Sequence, residues 1–385
     1  MKRLAILGST GSVGSACLEI VESFPDQFEI VAFAAGHNLD RLRWQMQRHR
    51  PHLVAVAEAD AARALAVEYP GTRFVAGDDG LLDVARCEKA HMVVSALVGS
   101  VGLPPTLAAI DAGKDVALAN KEVLVMAGEL VMTAVRHAGV SLLPIDSEHS
   151  AIHQALQVGP ADSVARIILT ASGGPFRTWS ADRMATAGID DALAHPTWRM
   201  GRKISIDSAT MMNKGFEVIE AHHLFGLPSG DIDVVVHPQS LVHSLVEYSD
   251  GSTIAQLGPN TMRHPILYAL AWPRRMTSPT PALDLTATNS LTFEPLDGAR
   301  FPAVDLARKA IEAGAELPVV LNAANEIAVQ RFLDGRCAFG DIITIVQMTL
   351  ERWSPGSHFV GNLDHVRAID AEARTIADGL GNDRA

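Results

Sequence analysis

The strongest constraint on the fold is the segment KRLAILGSTGSVGSACLEIVESF near the start of the chain. Residues 4–7 predict a buried strand, and the apolar spacing from Val13 onward predicts a helix. Between them, Gly8, Gly11 and Gly14 recur at every third position. Such glycines let the backbone approach a pyrophosphate, whose charge is favoured at a helix N-terminus. The segment therefore predicts a dinucleotide-binding start, although a tight turn that binds nothing would share this spacing.

The second predicted strand, residues 29–35, lacks an acidic residue at its carboxyl end. Enzymes that prefer NAD usually place a carboxylate there to hold the ribose hydroxyls. Here Gly36, His37 and Asn38 follow the strand, and Arg41 and Arg43 come next. The pattern favours NADP, whose extra phosphate needs positive charge. The alternative is that both arginines only decorate a helix face.

Short apolar strands alternate with helical patterns through the first third of the chain, which predicts a parallel, doubly wound sheet. The further strands are expected near residues 53–56, 92–95 and 116–119. Asn120, Lys121 and Glu122 follow the last of these, at the edge where such sheets bind ligands. The alternative is that Asn120 caps a helix and the two charged residues are solvated.

Another apolar run ends at Asp146, Ser147 and Glu148. Two carboxylates so close repel each other and resist burial, so they need a counter-charge or an ion, or else they form a solvated loop. If the segment is extended, Asp146 and Glu148 point to one face and Ser147 to the other. Two convergent oxygen ligands suit Mg2+ or Mn2+.

The segment DSATMMNKGFEVIEAHHLFGLP predicts one helix that ends near Phe225, before Gly226. Asn213 and Glu217 are four residues apart and share a face, and Lys214 lies nearby. An amide, an ammonium and a carboxylate therefore meet on one face. The alternative is an ordinary surface Lys–Glu pair.

Two other segments predict anion binding. In IILTASGGPF, a strand runs into Ser172 and two glycines, where small residues expose backbone N–H groups. In HPTWRMGRKISIDSATMMNKG, three basic residues precede Ser208 and fit capture of a phosphorylated substrate; they are Arg199, Arg202 and Lys203. Trp198 and Gly201 lie in the same loop, which has the composition of a lid, although Trp198 could simply pack on the domain body.

The net charge of -12 disfavours nonspecific binding to nucleic acid or to an anionic membrane. The three cysteines are far apart and show no metal-site spacing, so we expect free thiols in a reducing compartment. No signal peptide or membrane-spanning run is recognisable, and a cytoplasmic location is expected. In the last third, residues 272–300 read as a proline-rich linker. Four helices are expected after it, at residues 303–313, 318–332, 341–353 and 363–377.

Six motifs together resemble the 1-deoxy-D-xylulose 5-phosphate reductoisomerase family; they are LGSTGSVG, ALANKEVLV, LPIDSEHSAIHQ, ASGGPFR, HPTWRMGRKISIDSATMMNKGFEVIEAHHLF and HPQSLVHSLVEYSDGS. The resemblance implies an α/β fold with an NADPH-binding Rossmann-like domain at residues 1–146 and a catalytic α/β domain at 147–271. A linker at residues 272–300 and a helical bundle at residues 301–385 would follow these two domains. The resemblance also implies a homodimer.

The resemblance implies a role for each matching residue. The divalent metal would be held by Asp146, Glu148 and Glu217. The substrate phosphate would be held by Ser172, Ser208, Asn213 and Lys214. The sugar end would contact Ser147, Lys121 and His195, with Trp198 in the lid. NADPH would contact Thr10, Gly11, Ser12, Val13, Gly36, Asn38, Asn120, Glu122 and Gly201. Glu148, Lys121 and His195 are the catalytic candidates.

The chain departs from the family pattern at two positions. His37 stands where the family often has a lysine near the 2'-phosphate of NADPH, and a neutral imidazole attracts phosphate less strongly. Thr261 stands where the family commonly has an aspartate.

The implied activity is the NADPH- and metal-dependent isomerisation and reduction of 1-deoxy-D-xylulose 5-phosphate to 2-C-methyl-D-erythritol 4-phosphate, in isoprenoid precursor synthesis. Two alternatives stay open on the residues alone. One is a metal-dependent NADP alcohol dehydrogenase that acts on a phosphorylated sugar without rearranging its skeleton. The other is a dinucleotide sensor without turnover, which would need neither the carboxylates nor the phosphate-binding residues.

Overall fold

The structure is a computed structural model, and it describes residues 1–198, 200–314, 316–354, 356 and 361–380. Arg199, one of the predicted basic residues, lies outside them. The chain divides into two compact units. The first comprises Met1–Val123, Val131–Ser150 and Thr261–Ala282. The second comprises Leu124–Leu130, Ala151–Asn260 and Leu283–Ala385.

The strands form one sheet in each unit. The first sheet contains β1 Lys2–Leu7, β2 Phe28–Ala34, β3 Leu53–Val56, β4 Arg73–Ala76, β5 Met92–Ser95, β6 Asp115–Leu118 and β7 Leu142–Pro144. The second contains β8 Val164–Ala171, β9 Ile232–Val236, β10 Val242–Tyr248, β11 Thr253–Leu257 and β12 Glu294–Pro295.

The helices are α1 Ser12–Ser23, α2 Leu39–His49, α3 Ala59–Glu68, α4 Gly77–Ala85, α5 Leu103–Asp111, α6 Lys121–Ala138, α7 Ser147–Ala155, α8 Ala181–Ala185, α9 Ile189–Leu193, α10 Arg202–Thr210, α11 Met212–Phe225, α12 Arg263–Ala271, α13 Ala303–Ala313, α14 Glu316–Leu333, α15 Phe339–Arg352 and α16 Leu363–Leu380. None of the helices in the described residues is long and apolar enough to cross a membrane.

The first sheet is parallel throughout, with the order β4-β3-β2-β1-β5-β6-β7. The chain runs outward from β1 to β4 and then returns to β5 on the other side of β1. This reversal opens a crevice at the carboxyl ends of β1 and β5, which is where such sheets bind dinucleotides. The predicted doubly wound sheet is therefore confirmed. The strand β1 is buried on both faces, because Leu4 and Ile6 on one face and Ala5 and Leu7 on the other are all fully buried.

The helix α12 packs in the first unit although it follows the second sheet in the chain. The Nζ of Lys2 donates to the carbonyl oxygen of Leu270, at 2.7 Å, and Arg263 pairs with Glu19 of α1. At the start of α12, Thr261 Oγ1 accepts a hydrogen bond from the Arg263 amide, at 3.2 Å. The threonine that replaces the family's usual aspartate thus still supplies an oxygen to a helix N-terminus.

The second sheet is mixed, with the order β11-β10-β8-β9-β12. The central pair β8 and β9 is parallel, and the other neighbours are antiparallel. The helices α13 to α16 follow it, and the four helices predicted for the last third are confirmed to within a few residues. Apolar side chains of α11, α13, α14 and α15 share one core with the segment around Phe176.

Two predictions of local secondary structure are wrong, one after Asp146 and one around Asn213. The segment after Asp146 is not extended, because α7 begins at Ser147. Successive side chains of a helix diverge by about 100°, so the argument that Asp146 and Glu148 share a strand face fails. Serine and an acidic residue at the first helical positions are typical of a helix start.

The single helix predicted around Asn213 is two helices. Met211, between α10 and α11, has a left-handed backbone with φ 62°. The hydroxyl of Thr210 accepts a hydrogen bond from the Met212 amide at this break, at 3.3 Å. Neither glycine nor proline lies at the break, and the apolar pattern continues across it. The sequence therefore gives no signal for two helices. The predicted end of the second helix, at Phe225 before Gly226, is confirmed.

Candidate functional site

The glycine turn after β1 requires glycine for steric reasons. Gly8 has φ +90°, and a Cβ there would lie 2.5 Å from the carbonyl oxygen of Ala96. A Cβ on Gly14 would collide with the carbonyl oxygen of Gly8. Gly11 and Ser12, at the start of α1, are exposed. The backbone N–H groups of the first helical turn have no partner within a helix, so this turn can accept a pyrophosphate.

Beyond the end of β2, Arg41 and Arg43 have different partners, although the sequence alone gave no reason to distinguish their roles. Asn38 accepts a hydrogen bond from the Arg41 amide, at 3.1 Å, and so caps α2. The Nε of Arg41 donates to Ser15 Oγ of α1, at 3.1 Å. Arg43 instead pairs with Glu68, at 2.9 Å. Arg41 is thus held beside the helix that follows the glycine turn, whereas half-buried Arg43 is held against the end of α3.

Gly36 and His37 are both exposed at the end of β2. They lie in the short connection between the strand and α2, where an adenosine ribose meets the sheet in dinucleotide-binding folds. Within the described residues of this connection, residues 35–38, there is no carboxylate. The predicted preference for NADP is therefore consistent with the local structure.

The end of β6 carries the predicted cap. Asn120 accepts a hydrogen bond from the Val123 amide at the start of α6, at 3.3 Å, and donates to the carbonyl oxygen of Gly99, at 3.0 Å. Asn120 is therefore both a helix cap and a tie to the turn that follows β5. Lys121 and Glu122 are 9% and 6% exposed, so the alternative that they are solvated is wrong.

The acidic turn after β7 contains a charge network in the first unit. Asp146 forms an ion pair with Lys121. His149 Nδ1 lies 3.7 Å from the same carboxylate oxygen of Asp146. Burial alone would raise the pKa of Asp146, but Lys121 and His149 hold it well below its usual range. The carboxylate is thus ionised at neutral pH, as a metal ligand must be.

Ser147 and Glu148 lie in the first turn of α7. The hydroxyl of Ser147 donates to Glu148 Oε2, at 2.6 Å. Sequence reasoning did not include His149 among the candidates, although its position three residues after Asp146 in DSEH was visible. Asp146, Ser147, Glu148 and Lys121 are thus all gathered at the carboxyl ends of β6 and β7, the binding edge of the sheet.

In the second unit, Ser172 and His195 are in contact. His195 Nδ1 accepts hydrogen bonds from the amides of Thr197 and Trp198, at 3.1 and 2.9 Å. The neutral ring therefore carries its proton on Nε2, which lies 3.0 Å from Ser172 Oγ and donates to it. Burial lowers the pKa of His195, which favours this neutral form.

The loop after β8 lies against α10. Gly174 has φ +65°, and a Cβ there would lie 2.6 Å from the carbonyl oxygen of Ser208. The Gly174 amide donates to Ser172 Oγ, at 3.1 Å. Ser172 and Ser208, two of the predicted phosphate ligands, thus belong to segments that are in direct contact. Of the small residues predicted to form an anion-binding loop, Gly173 and Gly174 adopt positive φ angles.

Asn213, Lys214 and Glu217 meet on α11 as the spacing predicted. Asn213 Nδ2 donates to Glu217 Oε1, at 2.6 Å, and Lys214 pairs with the other oxygen of the same carboxylate. Lys214 and Glu217 are 3% and 0% exposed, so the surface-pair alternative is wrong. A buried carboxylate held between an amide and an ammonium is an ionised oxygen donor, which suits a hard cation.

Trp198 and Gly201 lie on either side of the undescribed Arg199. Trp198 is half-buried, and Gly201 is the N-terminal cap of α10. Lys203, in the first turn of α10, pairs with Asp207, at 2.9 Å. Part of the basic density predicted for this segment is therefore neutralised within the protein.

The chain matches three family models. They are described as 1-deoxy-D-xylulose 5-phosphate reductoisomerase, over residues 4–128, its C-terminal domain, over residues 142–225, and the DXP reductoisomerase C-terminal domain, over residues 257–376. A 1-deoxy-D-xylulose 5-phosphate reductoisomerase from Rhodospirillum centenum is 51% identical over 384 residues. This match covers 99% of the present chain and 94% of the relative.

Solved structures give the same result. A 1-deoxy-D-xylulose 5-phosphate reductoisomerase from Zymomonas mobilis in complex with NADPH has a TM-score of 0.91 and 45% identity, over 99% of both chains. A DOX-P reductoisomerase in complex with NADPH, fosmidomycin and magnesium has a TM-score of 0.93 and 40% identity, over 99% of this chain and 98% of the other.

Proposed function

The chain belongs to the 1-deoxy-D-xylulose 5-phosphate reductoisomerase family, and from this we propose that it converts 1-deoxy-D-xylulose 5-phosphate to 2-C-methyl-D-erythritol 4-phosphate. It is an NADP-dependent oxidoreductase that uses NADPH and a divalent metal, as relatives are found with NADPH and with magnesium. The observation that carries the proposal is a family match over 99% of this chain and 94% of the relative.

We propose that NADPH binds along the carboxyl edge of the first sheet. The contacting residues would be Thr10, Gly11, Ser12, Val13, Gly36, His37, Asn38, Asn120, Glu122 and Gly201. Two observations support this assignment: a Cβ is sterically excluded at Gly8 and Gly14, and Arg41 is held beside α1. The first shows a tight turn that packs the start of α1 closely against the end of β1, as in dinucleotide-binding folds. The second offers positive charge to the 2'-phosphate.

We propose that Asp146, Glu148 and Glu217 hold the metal. The donor set fits, because all three ligands offer carboxylate oxygens and Mg2+ or Mn2+ prefers such ligands. The Asp146 and Glu217 carboxylates are also each held by a lysine, which keeps them ionised. A bound divalent cation would supply Lewis-acid polarisation of a substrate carbonyl.

We propose that Ser172, Ser208, Asn213 and Lys214 bind the substrate phosphate. The Lys214 ammonium supplies a charge-assisted contact, and the small residues at 172–174 expose backbone N–H groups. Phosphate binding far from the reacting carbons would orient the substrate and can drive closure of the loop that carries Trp198. His195 would then donate its Nε2 proton either to Ser172 or to a substrate oxygen, because its Nδ1 is already occupied.

Lys121, Ser147 and Glu148 are proposed to act at the sugar end. The Lys121 ammonium can donate a proton to a substrate oxygen that gains negative charge when the carbon skeleton rearranges. Ser147 fixes the Glu148 carboxylate by its hydrogen bond, so that this group is held in one orientation to accept a proton from a substrate hydroxyl. A retro-aldol cleavage followed by aldol addition needs both kinds of proton transfer, and we propose it over a direct shift.

Further properties of the family are proposed for this chain. They are a homodimer, a cytoplasmic location and use of manganese as an alternative to magnesium. Along the chain, we propose residues 1–146 as the NADPH-binding domain and residues 147–271 as the catalytic domain. A linker at 272–300 and a helical domain at 301–385 would follow, with α12 packed in the first unit.

The test is product NMR after incubation of the protein with 1-deoxy-D-xylulose 5-phosphate, NADPH and Mg2+. We expect the branched polyol phosphate, formed with one NADPH oxidised per product. Reduction of the ketose without branching would instead establish the alternative, a plain NADP alcohol dehydrogenase. If neither a product nor NADPH oxidation is detected, the reductoisomerase activity and the alcohol dehydrogenase alternative are both excluded.

A further inference from the structure

We propose that Asp207 and Asn325 form a positioning pair that lets the C-terminal helices set the affinity for the substrate phosphate. Asn325 lies on α14 and is fully buried. Its Nδ2 donates to Asp207 Oδ1 of α10, at 2.7 Å. The inference rests on the proposed function only in that Ser208, the neighbour of Asp207, is a proposed phosphate ligand.

The contacts of Asp207 tie three helices together. Its second oxygen, Oδ2, pairs with Lys203 of the same helix, at 2.9 Å. The Lys203 ammonium lies 5.0 Å from the ring centroid of Phe216 on α11, which is a cation–π distance. The helix α11 carries Asn213 and Lys214. One buried carboxylate therefore links α14, α10 and, through Lys203, the helix that holds two other proposed phosphate ligands.

The turn at residues 207–208 is held from two sides. On one side, Gly174 leaves no room for a side chain between its backbone and the carbonyl oxygen of Ser208. On the other side, Asn325 holds Asp207. Because Asp207 and Ser208 are consecutive residues of one helix, a shift of α10 away from α14 moves the Ser208 hydroxyl relative to Ser172. Small displacements of binding groups can weaken binding by large factors.

Burying this polar pair costs free energy of folding that an apolar contact between the same helices would not cost. The Oδ1 of Asn325 is buried and has no hydrogen-bond partner among the described residues. Apolar side chains in place of a buried polar pair are often neutral or even stabilising. The hydrogen bond from Asn325 to Asp207 is charge-assisted and lies next to Ser208. We infer that it fixes the position of α10, and with it the position of Ser208, relative to α14.

The same helix offers a matched control. Asn322 is also fully buried on α14, and its Oδ1 also has no partner among the described residues. Its Nδ2 donates to Glu326 of its own helix, at 3.2 Å, and not to α10. Asn322→Leu and Asn325→Leu therefore remove the same chemistry from the same helix, and only the second breaks a bond to Asp207.

The test measures KM for 1-deoxy-D-xylulose 5-phosphate, kcat, the Kd of NADPH and the Kd of inorganic phosphate by phosphorus NMR. In Asn325→Leu, we expect KM and the phosphate Kd to rise about tenfold, with a smaller change in kcat and an unchanged Kd of NADPH. In Asn322→Leu, we expect neither to rise. If Asn325→Leu does not fold, Asn325→Ala removes the amide without adding volume and carries the same expectation.

A rescue separates positioning from general loss of stability. Asp207→Asn should raise KM, and the exchange Asp207→Asn with Asn325→Asp should lower it again, because an amide on α10 then donates to a carboxylate on α14. Equal phosphate affinity in Asn325→Leu and wild type, or equal weakening in Asn322→Leu, would overturn the proposal. If the wild type does not turn over the ketose, the proposed function fails, and phosphate binding by NMR still decides the role of the pair.

Discussion

Lys121 and Asp146 form an ion pair that joins the first turn of α6 to the residue directly before α7. The side chains of both residues are largely buried, at 11% and 14% exposure. Without a metal, the ammonium is the counter-charge that lets Asp146 stay ionised in this setting. With a metal ligated by Asp146, part of that role passes to the ion. On the proposed metal assignment, the pair keeps the Asp146 carboxylate ionised for a cation.

Asp146→Asn should therefore weaken Mg2+ binding by roughly tenfold or more, because an anionic ligand is removed, and turnover should fall with it. The Kd of NADPH should change little, since the glycine turn at Gly8 lies at another strand. The metal dependence of NADPH oxidation and the fluorescence of bound NADPH measure the two effects. Full activity of the wild type after exhaustive chelation would contradict the metal assignment.

Arg41→Ala should weaken NADPH binding by about tenfold and leave NADH binding nearly unchanged, since a charge-assisted contact with the 2'-phosphate is lost. Arg43→Ala is the matched control, because that arginine pairs with Glu68 and not with α1. His37→Lys should raise the preference for NADPH. Equal ratios of catalytic efficiency for the two cofactors in wild type and Arg41→Ala would remove Arg41 from cofactor recognition.

The sequence predicted those parts of the fold that periodic patterns govern. The parallel, doubly wound character of the first sheet follows from alternation of short apolar runs with helices, and the four C-terminal helices follow from amphipathic spacing. The strand order was not predicted. β4 was missed, because RFVA is a short edge strand whose residues are only partly buried, so it lacks a strong apolar signal. A single non-glycine residue with a left-handed backbone, such as Met211, does not change the apolar periodicity of the sequence and was not predicted either.

Some contacts among the candidate site residues were predicted from the sequence, and others were not. The pairing of Asn213 and Lys214 with Glu217 follows from helical spacing alone. The arrangement of Asp146 and Glu148 does not, because the argument assumed an extended segment and α7 begins at Ser147. The tautomer of His195 depends on two amides of its own turn, and no pattern of residue types records such a contact.

Lys214→Ala should cost roughly 2–4 kcal/mol in transition-state binding, measured as the change in kcat/KM for the phosphorylated ketose. Lys214 is buried and also pairs with Glu217, so the variant removes a phosphate contact and leaves the carboxylate less neutralised. Lys214→Arg keeps the charge and should lose less. A folded Lys214→Ala variant with near-normal efficiency would place the phosphate elsewhere.

His223 should make stability depend on pH. Burial, and secondarily His222, lowers the pKa of His223 to about 4 from 6.5. The unfolded chain therefore binds more protons between pH 4 and 6.5, and the free energy of unfolding falls as pH decreases through this window. From pH 7 to 5, the contribution lost is on the order of 2 kcal/mol.

His223→Gln should flatten this part of the profile in urea unfolding. The ring of His223 occupies the space where a Cβ of Gly128 would lie, so we expect some loss of stability at pH 7 as well. The neighbouring His222 donates from Nδ1 to the Leu227 carbonyl oxygen, at 2.6 Å, and His222→Gln is the control that should keep most of the slope. The same slope in wild type and His223→Gln would refute the assignment.

The final prediction is that rearrangement and reduction are separable steps at one site. The chain combines a dinucleotide-binding turn with metal-binding carboxylates, and simple hydride transfer to an aldehyde requires less than that. The free aldehyde 2-C-methyl-D-erythrose 4-phosphate, supplied directly, should therefore be reduced by NADPH, held through its phosphate by the same residues as the ketose.

Glu148→Gln should impair turnover of the ketose at least as much as reduction of the supplied aldehyde. Glu148 is held by Ser147, at 2.6 Å, and is proposed to accept a proton only in the rearrangement, whereas loss of its negative charge weakens metal binding in both reactions. NADPH oxidation with each substrate, in wild type and variant, measures the difference. If the wild type turns over the ketose but never reduces the supplied aldehyde, the stepwise scheme loses its support. If it reduces assorted aldehydes and leaves the ketose untouched, the protein is a plain dehydrogenase, because the rearrangement is the one step that distinguishes the two activities.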